Sequence, residues 1–310
     1  MEKQGYKIIS DGAADLEMAY AKEHDIDIVP FYVSFDDKTY QKEIVEIGIR
    51  EFYQKMVDEP KVFPKSSMPS VQDYMDVFEP YAKAGIPVIC ICITSKFSGS
   101  YNCARTAAGQ LLETYPDSKI TAIDSTFVTV AEGMAVKEAV RMRDDGVSYE
   151  KCVDNLMKMR ESGRILFTIG GMSYLVHGGR VGKLMGVAAN TLSIRPLITM
   201  KDGEIFPSGL ARSRKKSKDK VIDMIIDYFK SCGESPDHYS IHVGYGYDIE
   251  EGASFQGEVK NALTKQLQAK EDGQEHIYDN IEVYQIGATI AVHTGPYPVG
   301  VGIFKKYEYV

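Results

Sequence analysis

The chain has 310 residues, 44% of them hydrophobic and 26% charged; that is apolar mass for about two domains at ~150 residues each, and it excludes a disordered tail or a disulfide-held miniprotein. With 36 Lys and Arg against 44 Asp and Glu the net charge is -8, so the chain lacks the basic footprint of non-specific phosphate-backbone binding, and nucleic acid is not an expected partner. An odd number of cysteines, five in all, and an N-terminus that enters a strand-like Tyr6-Lys7-Ile8-Ile9 with no apolar leader lead us to expect a cytoplasmic protein.

In chain order, short apolar runs alternate with helical patterns. Strands are predicted over residues 7–10, 26–35, 87–94 and 119–124, with helices over 15–23, 47–58, 71–84, 100–115 and 130–144 between them. This is the signature of a parallel sheet covered by helices, and the run Val88-Ile89-Cys90-Ile91-Cys92-Ile93, apolar on both faces, fits its centre. A helix over 149–161 ends at Ser162-Gly163, where Gly makes a common cap, and places a domain boundary between 1–162 and 163–310. The second half is predicted as a strand over 164–169, a Gly-rich helical stretch over 170–192, and strands over 195–200 and 204–211 reversed at Lys201-Asp202-Gly203. A helix over 214–231, a strand over 239–244, a helix over 253–269 and strands over 281–286, 290–293 and 299–304 complete it. The expected fold is α/β in two domains, an N-terminal parallel-sheet α/β domain and a C-terminal α+β domain with a mixed or antiparallel sheet.

Short motifs that imitate nucleotide sites do not hold. Gly178-Gly179-Arg180-Val181-Gly182-Lys183-Leu184 has the wrong spacing for a phosphate loop and Leu where a Mg²⁺-binding hydroxyl belongs. Cys90 and Cys92 have no second pair at metal spacing, and the six histidines form no ligand set. Neither a metal nor a cofactor is expected.

The informative segments are polar clusters where strands end and helices begin. They are Ser10-Asp11-Gly12-Ala13-Ala14-Asp15-Leu16, Ser66-Ser67-Met68-Pro69-Ser70, Thr94 to Tyr101, and His293-Thr294-Gly295-Pro296. In open parallel sheets ligands sit at the carboxyl ends of strands, where helix N-termini offer free N–H groups to a carboxylate or phosphate. Ser70 reads as a helix cap, Ser98 as a cap or a ligand contact, and Asp11 as a turn residue or a site residue. His293 taken alone reads as a core or turn histidine.

Together, in this order and over nearly the full length, these strings resemble the DegV family of bacterial fatty-acid-binding proteins. The resemblance adds Asp124-Ser125, Tyr174-Leu175-Val176-His177-Gly178-Gly179-Arg180 and Pro196-Leu197-Ile198. It implies a two-domain α/β protein that binds a long-chain fatty acid between its domains and presents it to a separate fatty acid kinase subunit, which makes an acyl phosphate for phospholipid synthesis. By motif position, Ser66, Ser98 and His293 would hold the carboxylate, with Asp11, Ser67, Gly99 and Thr294 as possible neighbours. Arg180 would face the kinase rather than the acid. Two positions depart from the family pattern: Gly12 stands where Ser is usual, and Ser66 where Thr is usual.

A rival function is a hydrolase acting on a lipid or small ester, with Ser98 as nucleophile, His293 as base and Asp11 or Asp124 as orienter. Ser98 lies outside the Gly-x-Ser-x-Gly elbow such enzymes use. The basic run Arg212-Ser213-Arg214-Lys215-Lys216-Ser217-Lys218 reads as the solvated start of a helix, with transient membrane contact as its lesser reading.

Overall fold

The computed structural model of the chain describes residues 5–186, 194–267, 278 and 280–310. The first half runs β1 (Lys7–Asp11), α1 (Met18–Glu23), β2 (Ile26–Val29), β3 (Tyr32–Ser34), β4 (Gln41–Lys42), α2 (Ile49–Asp58), β5 (Lys65–Ser67), α3 (Val71–Ala84), β6 (Val88–Cys92), α4 (Ser100–Thr114), β7 (Ile120–Asp124), α5 (Thr129–Asp144) and α6 (Tyr149–Met159). The second half runs β8 (Arg164–Thr168), α7 (Ser173–His177), β9 (Arg195–Lys201), β10 (Glu204–Ala211), α8 (Arg214–Cys232), β11 (Tyr239–Tyr245), α9 (Ile249–Gln266), β12 (Glu282–Gln285), α10 (Ala288–Thr294) and β13 (Val299–Lys305).

Four strands pair in parallel in the order β2-β1-β6-β7, and a six-stranded sheet has the order β10-β9-β8-β13-β11-β12. The second sheet is mixed: β12 runs parallel to β11 and every other pair is antiparallel. This is the two-domain α/β architecture that the alternation of patterns predicts. Every residue of β6 is buried, as its two-sided apolar run requires.

Helix α5 joins the two sheets, packing against β1 and β6 on one side and against β11 and β13 on the other. Its sequence shows no apolar stripe because nearly every face is covered, including those that carry Glu132 and Glu138. Helices α3 and α4 cover the outer face of the parallel sheet, and α8 and α9 cover the outer face of the mixed sheet. One apolar cluster runs through the middle, from Ile8 and Ile91 through Met134 and Ala135 to Ile165 and Phe304.

Several differences from the sequence reading have local causes. The strand predicted over 26–35 is broken by Pro30, and its second part, β3, joins a small sheet of order β4-β3-β5 that no periodicity announces. The strand predicted over 290–293 is instead helix α10. Its β-branched residues favour a strand, but Gly287 and Gly295 bound the segment and packing buries Ala288, Thr289, Ile290, Ala291, Val292 and Thr294, which overrides propensity. Of the stretch predicted over 170–192, α7 and a short 3-10 turn at Gly182–Gly186 are helical, and 187–192 lie outside the described residues, as do 268 and 269 of the helix predicted over 253–269. The Asp202-Gly203 turn forms as expected, both residues at positive φ, 54° and 81°. No helix among the described residues is long and apolar enough to cross a membrane.

Candidate functional site

The carboxyl ends of the parallel strands open on a cavity between the two sheets. Its volume is about 140 Å³, roughly ten times what a single water requires. Residues after β2, β6 and β7 (Phe31, Ile93, Phe97, Val128) form one wall, and residues of the mixed sheet such as Ile165, Phe167, Met200 and Ile205 form the other. The lining is mostly apolar, with few polar side chains.

Ser66 reaches the cavity because β5 pairs with β3, setting Ser66 opposite Val33, and because α10 packs on both strands. Its Oγ lies 3.3 Å from His293 Nε2. Ser67, the next residue along the strand, faces the other way and is exposed, outside the cavity lining.

Ser98 follows β6 in the turn that starts α4, and its Oγ accepts a hydrogen bond from Ser100 N at 3.2 Å. Gly99 is the cap residue of α4 and supplies no side-chain cap; the Ser98 hydroxyl takes that place at the first N–H of the helix, and both Ser98 and Gly99 line the cavity. Ser70, by contrast, is wholly occupied in a capping box with Asp73, as the sequence suggests.

His293 is largely buried, and burial followed by the nearby Arg180 charge lowers its pKa to about 4, so it is neutral at pH 7. Its Nδ1 has no partner. Thr294 lines the cavity and returns its hydroxyl to Ile290 O at 3.1 Å. Arg180 is exposed at the rim, where its guanidinium donates to the carbonyls of Phe97 (3.1 and 3.2 Å) and Gly178 (2.7 Å).

The structure thus brings Ser66, Ser98, Gly99, Arg180, His293 and Thr294 to one cavity and leaves Asp11 out of its lining. Asp11 is fully buried behind it and accepts from Ala13 N at 3.1 Å, Ile93 N at 3.0 Å and Ser100 Oγ at 2.7 Å. Burial raises its pKa, and burial together with the Asp11 charge raises that of Glu132.

The hydrolase arrangement is not assembled. His293 Nε2 meets Ser66 rather than Ser98, and no carboxylate reaches its Nδ1. Asp124 accepts instead from Ser95 N and Thr126 N at 3.3 and 2.9 Å. Among the described residues no group of His, Cys, Asp or Glu is placed to hold a metal.

Two polar residues of the lining escape the sequence reading, Thr129 and Thr289. Thr129 begins α5 shortly after the carboxyl end of β7, so the strand-end rule pointed there. Thr289 lies one helical turn from His293, a spacing hidden once that segment is read as a strand.

The family model described as "Uncharacterised protein, DegV family" matches residues 6–306. The chain belongs to the DegV family. A DegV domain-containing protein of Caldanaerobacter subterraneus is 31% identical over 96% of this chain and 98% of its own, and a fatty acid-binding protein of Thermotoga maritima is 29% identical over 96% of each. Among solved structures, a stearic acid-binding protein from Eubacterium ventriosum is similar at 44% identity and a TM-score of 0.89, covering 98% of this chain and 100% of that one. A fatty acid-binding DegV family protein from Thermus thermophilus is similar at 25% identity and a TM-score of 0.82, covering 97% and 99%.

Proposed function

We propose that this chain binds one long-chain fatty acid in the cavity between its two domains, divided near residues 162 and 163, and presents the carboxylate to a partner kinase for conversion to an acyl phosphate. The observation that carries this reading is the cavity itself, a mostly apolar slot lined by Ser66, Ser98 and His293, with the Ser66 hydroxyl 3.3 Å from the His293 imidazole. Each buried CH₂ contributes ~0.8 kcal/mol, so a chain of about fifteen carbons gains on the order of ten kcal/mol before ordering costs. A buried carboxylate still needs hydrogen bonds, which the two hydroxyls and the open N–H groups of α4 supply.

In this reading the head group is held without an ion pair, although Arg180 lines the rim of the same cavity. The guanidinium of Arg180 directs its hydrogen bonds to Phe97 O and Gly178 O, so the carboxylate keeps the electron density it needs as a nucleophile toward the phosphoryl donor. Arg180, exposed at the rim, is suited to contact the kinase. The protein acts in this reading as a substrate carrier and not as an enzyme.

Of the basic run, Arg214 pairs with Glu251 and Lys218 with Glu258 on α9, which supports the reading of a solvated helix start. Arg212, Lys215 and Lys216 remain exposed and form the face for transient contact with an anionic membrane during lipid exchange. Exchange with anionic vesicles should then slow as salt rises, and salt-insensitive exchange excludes that role.

Mass spectrometry of an organic extract of the purified protein tests the main reading. A stoichiometric long-chain fatty acid is the expected result. Turnover of a chromogenic ester, with no lipid present, would favour the hydrolase.

A further inference from the structure

Helix α10 brings His293 and Thr294 to the cavity, and it is seated on two buried carboxyls from the first half of the chain. Glu43 Oε2 accepts from Thr289 N at 2.9 Å, and Asp15 abuts Gly287, where a built Cβ would overlap Asp15 Oδ1. Glu43 and Asp15 are 1% and 8% exposed, and neither Glu43 Oε1 nor either Asp15 oxygen has a hydrogen-bond partner. Thr289 and His293 are four residues apart on α10, about 6 Å along the helix axis, and His293 Nε2 lies 3.3 Å from Ser66 Oγ. Glu43 is therefore joined to the head-group residues through about one helical turn.

The backbone is strained at this junction. Asp15, Ile44 (the residue after Glu43) and Thr129 (whose hydroxyl eases the ionisation of Asp15) have φ of 52°, 68° and 47°. The left-handed region is an outlier for β-branched residues such as Ile and Thr. Strain of this kind persists only where the surrounding contacts impose it. Here Glu43 N donates to Phe31 O and Ile44 N to Ile47 O, both at 3.0 Å, which holds the turn that carries Glu43 to α10.

The charged surroundings are mostly acidic. Asp15 interacts electrostatically with Glu43, with Asp11 on β1, with Glu132 on α5 and with Tyr53 on α2. Lys137, His242 and Tyr284 share a small pocket with it. On α10 the titratable group is His293, which is neutral from about pH 6 upward. Burial, and then the Asp15 charge, raises the pKa of Glu43 to about 8, and burial raises that of Asp15 to about 7.

We propose that Glu43 is a positioning residue of the head-group site, acting through Thr289 and α10 on His293, and that the site takes up a long-chain acid with Glu43 protonated and releases it as Glu43 ionises. The inference rests on the fatty-acid reading of the cavity and adds its regulation by pH. A charge on Glu43 would face Asp15 and, about one helical turn away, the bound carboxylate, in surroundings of low dielectric where like charges repel strongly.

The test is a titration of submicellar stearate into the purified, delipidated protein from about pH 6 to about pH 9, with methyl stearate as the uncharged control. Affinity for the acid should fall at least about fivefold across that range while affinity for the ester stays level. Glu43→Gln keeps an oxygen for Thr289 N and cannot ionise, so it should bind stearate as the natural chain does at the acid end and lose the fall. Asp15→Asn removes the charge beside Glu43; it should move the fall to lower pH, and it serves if the Gln variant does not fold. Level affinity for the acid in the natural chain, an ester affinity that falls in parallel, or a fall left undiminished by Glu43→Gln or unmoved by Asp15→Asn overturns the proposal and leaves the fatty-acid reading intact. Failure of stearate to bind at any pH overturns both.

Discussion

Gly178 and His293 share one space: a Cβ built on Gly178 would overlap His293 Nδ1. The glycine in the Gly-Gly-Arg segment therefore leaves room for the Nδ1 edge of the imidazole at the end of α7 while Nε2 reaches Ser66. Gly178→Ala should push His293 off Ser66 and weaken fatty-acid binding about tenfold, or ~1.4 kcal/mol, the range for a hydrogen bond lost from a buried polar group. Calorimetric titration with stearate measures this, and an unchanged affinity would show that His293 is not part of the head-group site.

Glu43 explains the departure at position 12. A Cβ on Gly12 would collide with Glu43 Oε1, so the carboxyl fills the place of the missing side chain, while Glu43 Oε2 accepts from Thr289 N at 2.9 Å. Gly12→Ser should destabilise the fold by ~1–3 kcal/mol through overpacking. Adding Glu43→Ala should recover part of that loss in denaturant unfolding, and strictly additive losses would refute the coupling.

Stability should fall as pH rises through neutrality and level off above about 8. Burial raises the pKa of Asp15 to about 7 and that of Glu43 to about 8, whereas both would titrate near 4 in the unfolded chain. The folded state therefore holds more protons across that window, and stability drops as pH rises through it, by about 1.4 kcal/mol per pH unit for each carboxyl still protonated. His293 and His242, both lowered to about 4, act oppositely below ~6.5, so the fall is cleanest from there to about 8. Thermal unfolding across this range should show it, and Glu43→Gln should flatten it. A midpoint that climbs with pH would contradict the assignment.

Arg180 should matter more to the kinase than to the lipid. Arg180→Ala should slow acyl-phosphate formation by a kinase subunit at least tenfold while weakening stearate binding far less, since its guanidinium is already held by the Phe97 and Gly178 carbonyls at the exposed rim. Ser98→Arg places a cation at the carboxylate itself and should slow phosphorylation by pairing with the nucleophile. Normal turnover by that variant would refute the neutral-anchor argument.

Much of this was legible in the sequence because local chemistry and global fold agree there. The apolar run of β6, the capping box at Ser70 and the Asp202-Gly203 turn each announce themselves, and the strand-end clusters lead to Ser66 and Ser98. What was not legible depends on contacts far apart in the chain. Nothing local marks β5 as a strand, since its residues Lys65, Ser66 and Ser67 are polar and its place comes from pairing with β3. Helix α10 carries strand-forming residues, and only its burial shows that Thr289 and His293 share a turn. Nothing local in the sequence shows that the carboxyls of Asp15 and Glu43 are buried; the fold encloses them.

Titration of stearate into the delipidated protein and into its Ser66→Ala/Ser98→Ala variant tests the central claim most directly. The account predicts saturable one-to-one binding to the natural chain and a loss of at least tenfold in the variant, with the methyl ester of the same acid insensitive to the change. Absence of saturable binding, or equal affinity of the acid for both proteins, would contradict it.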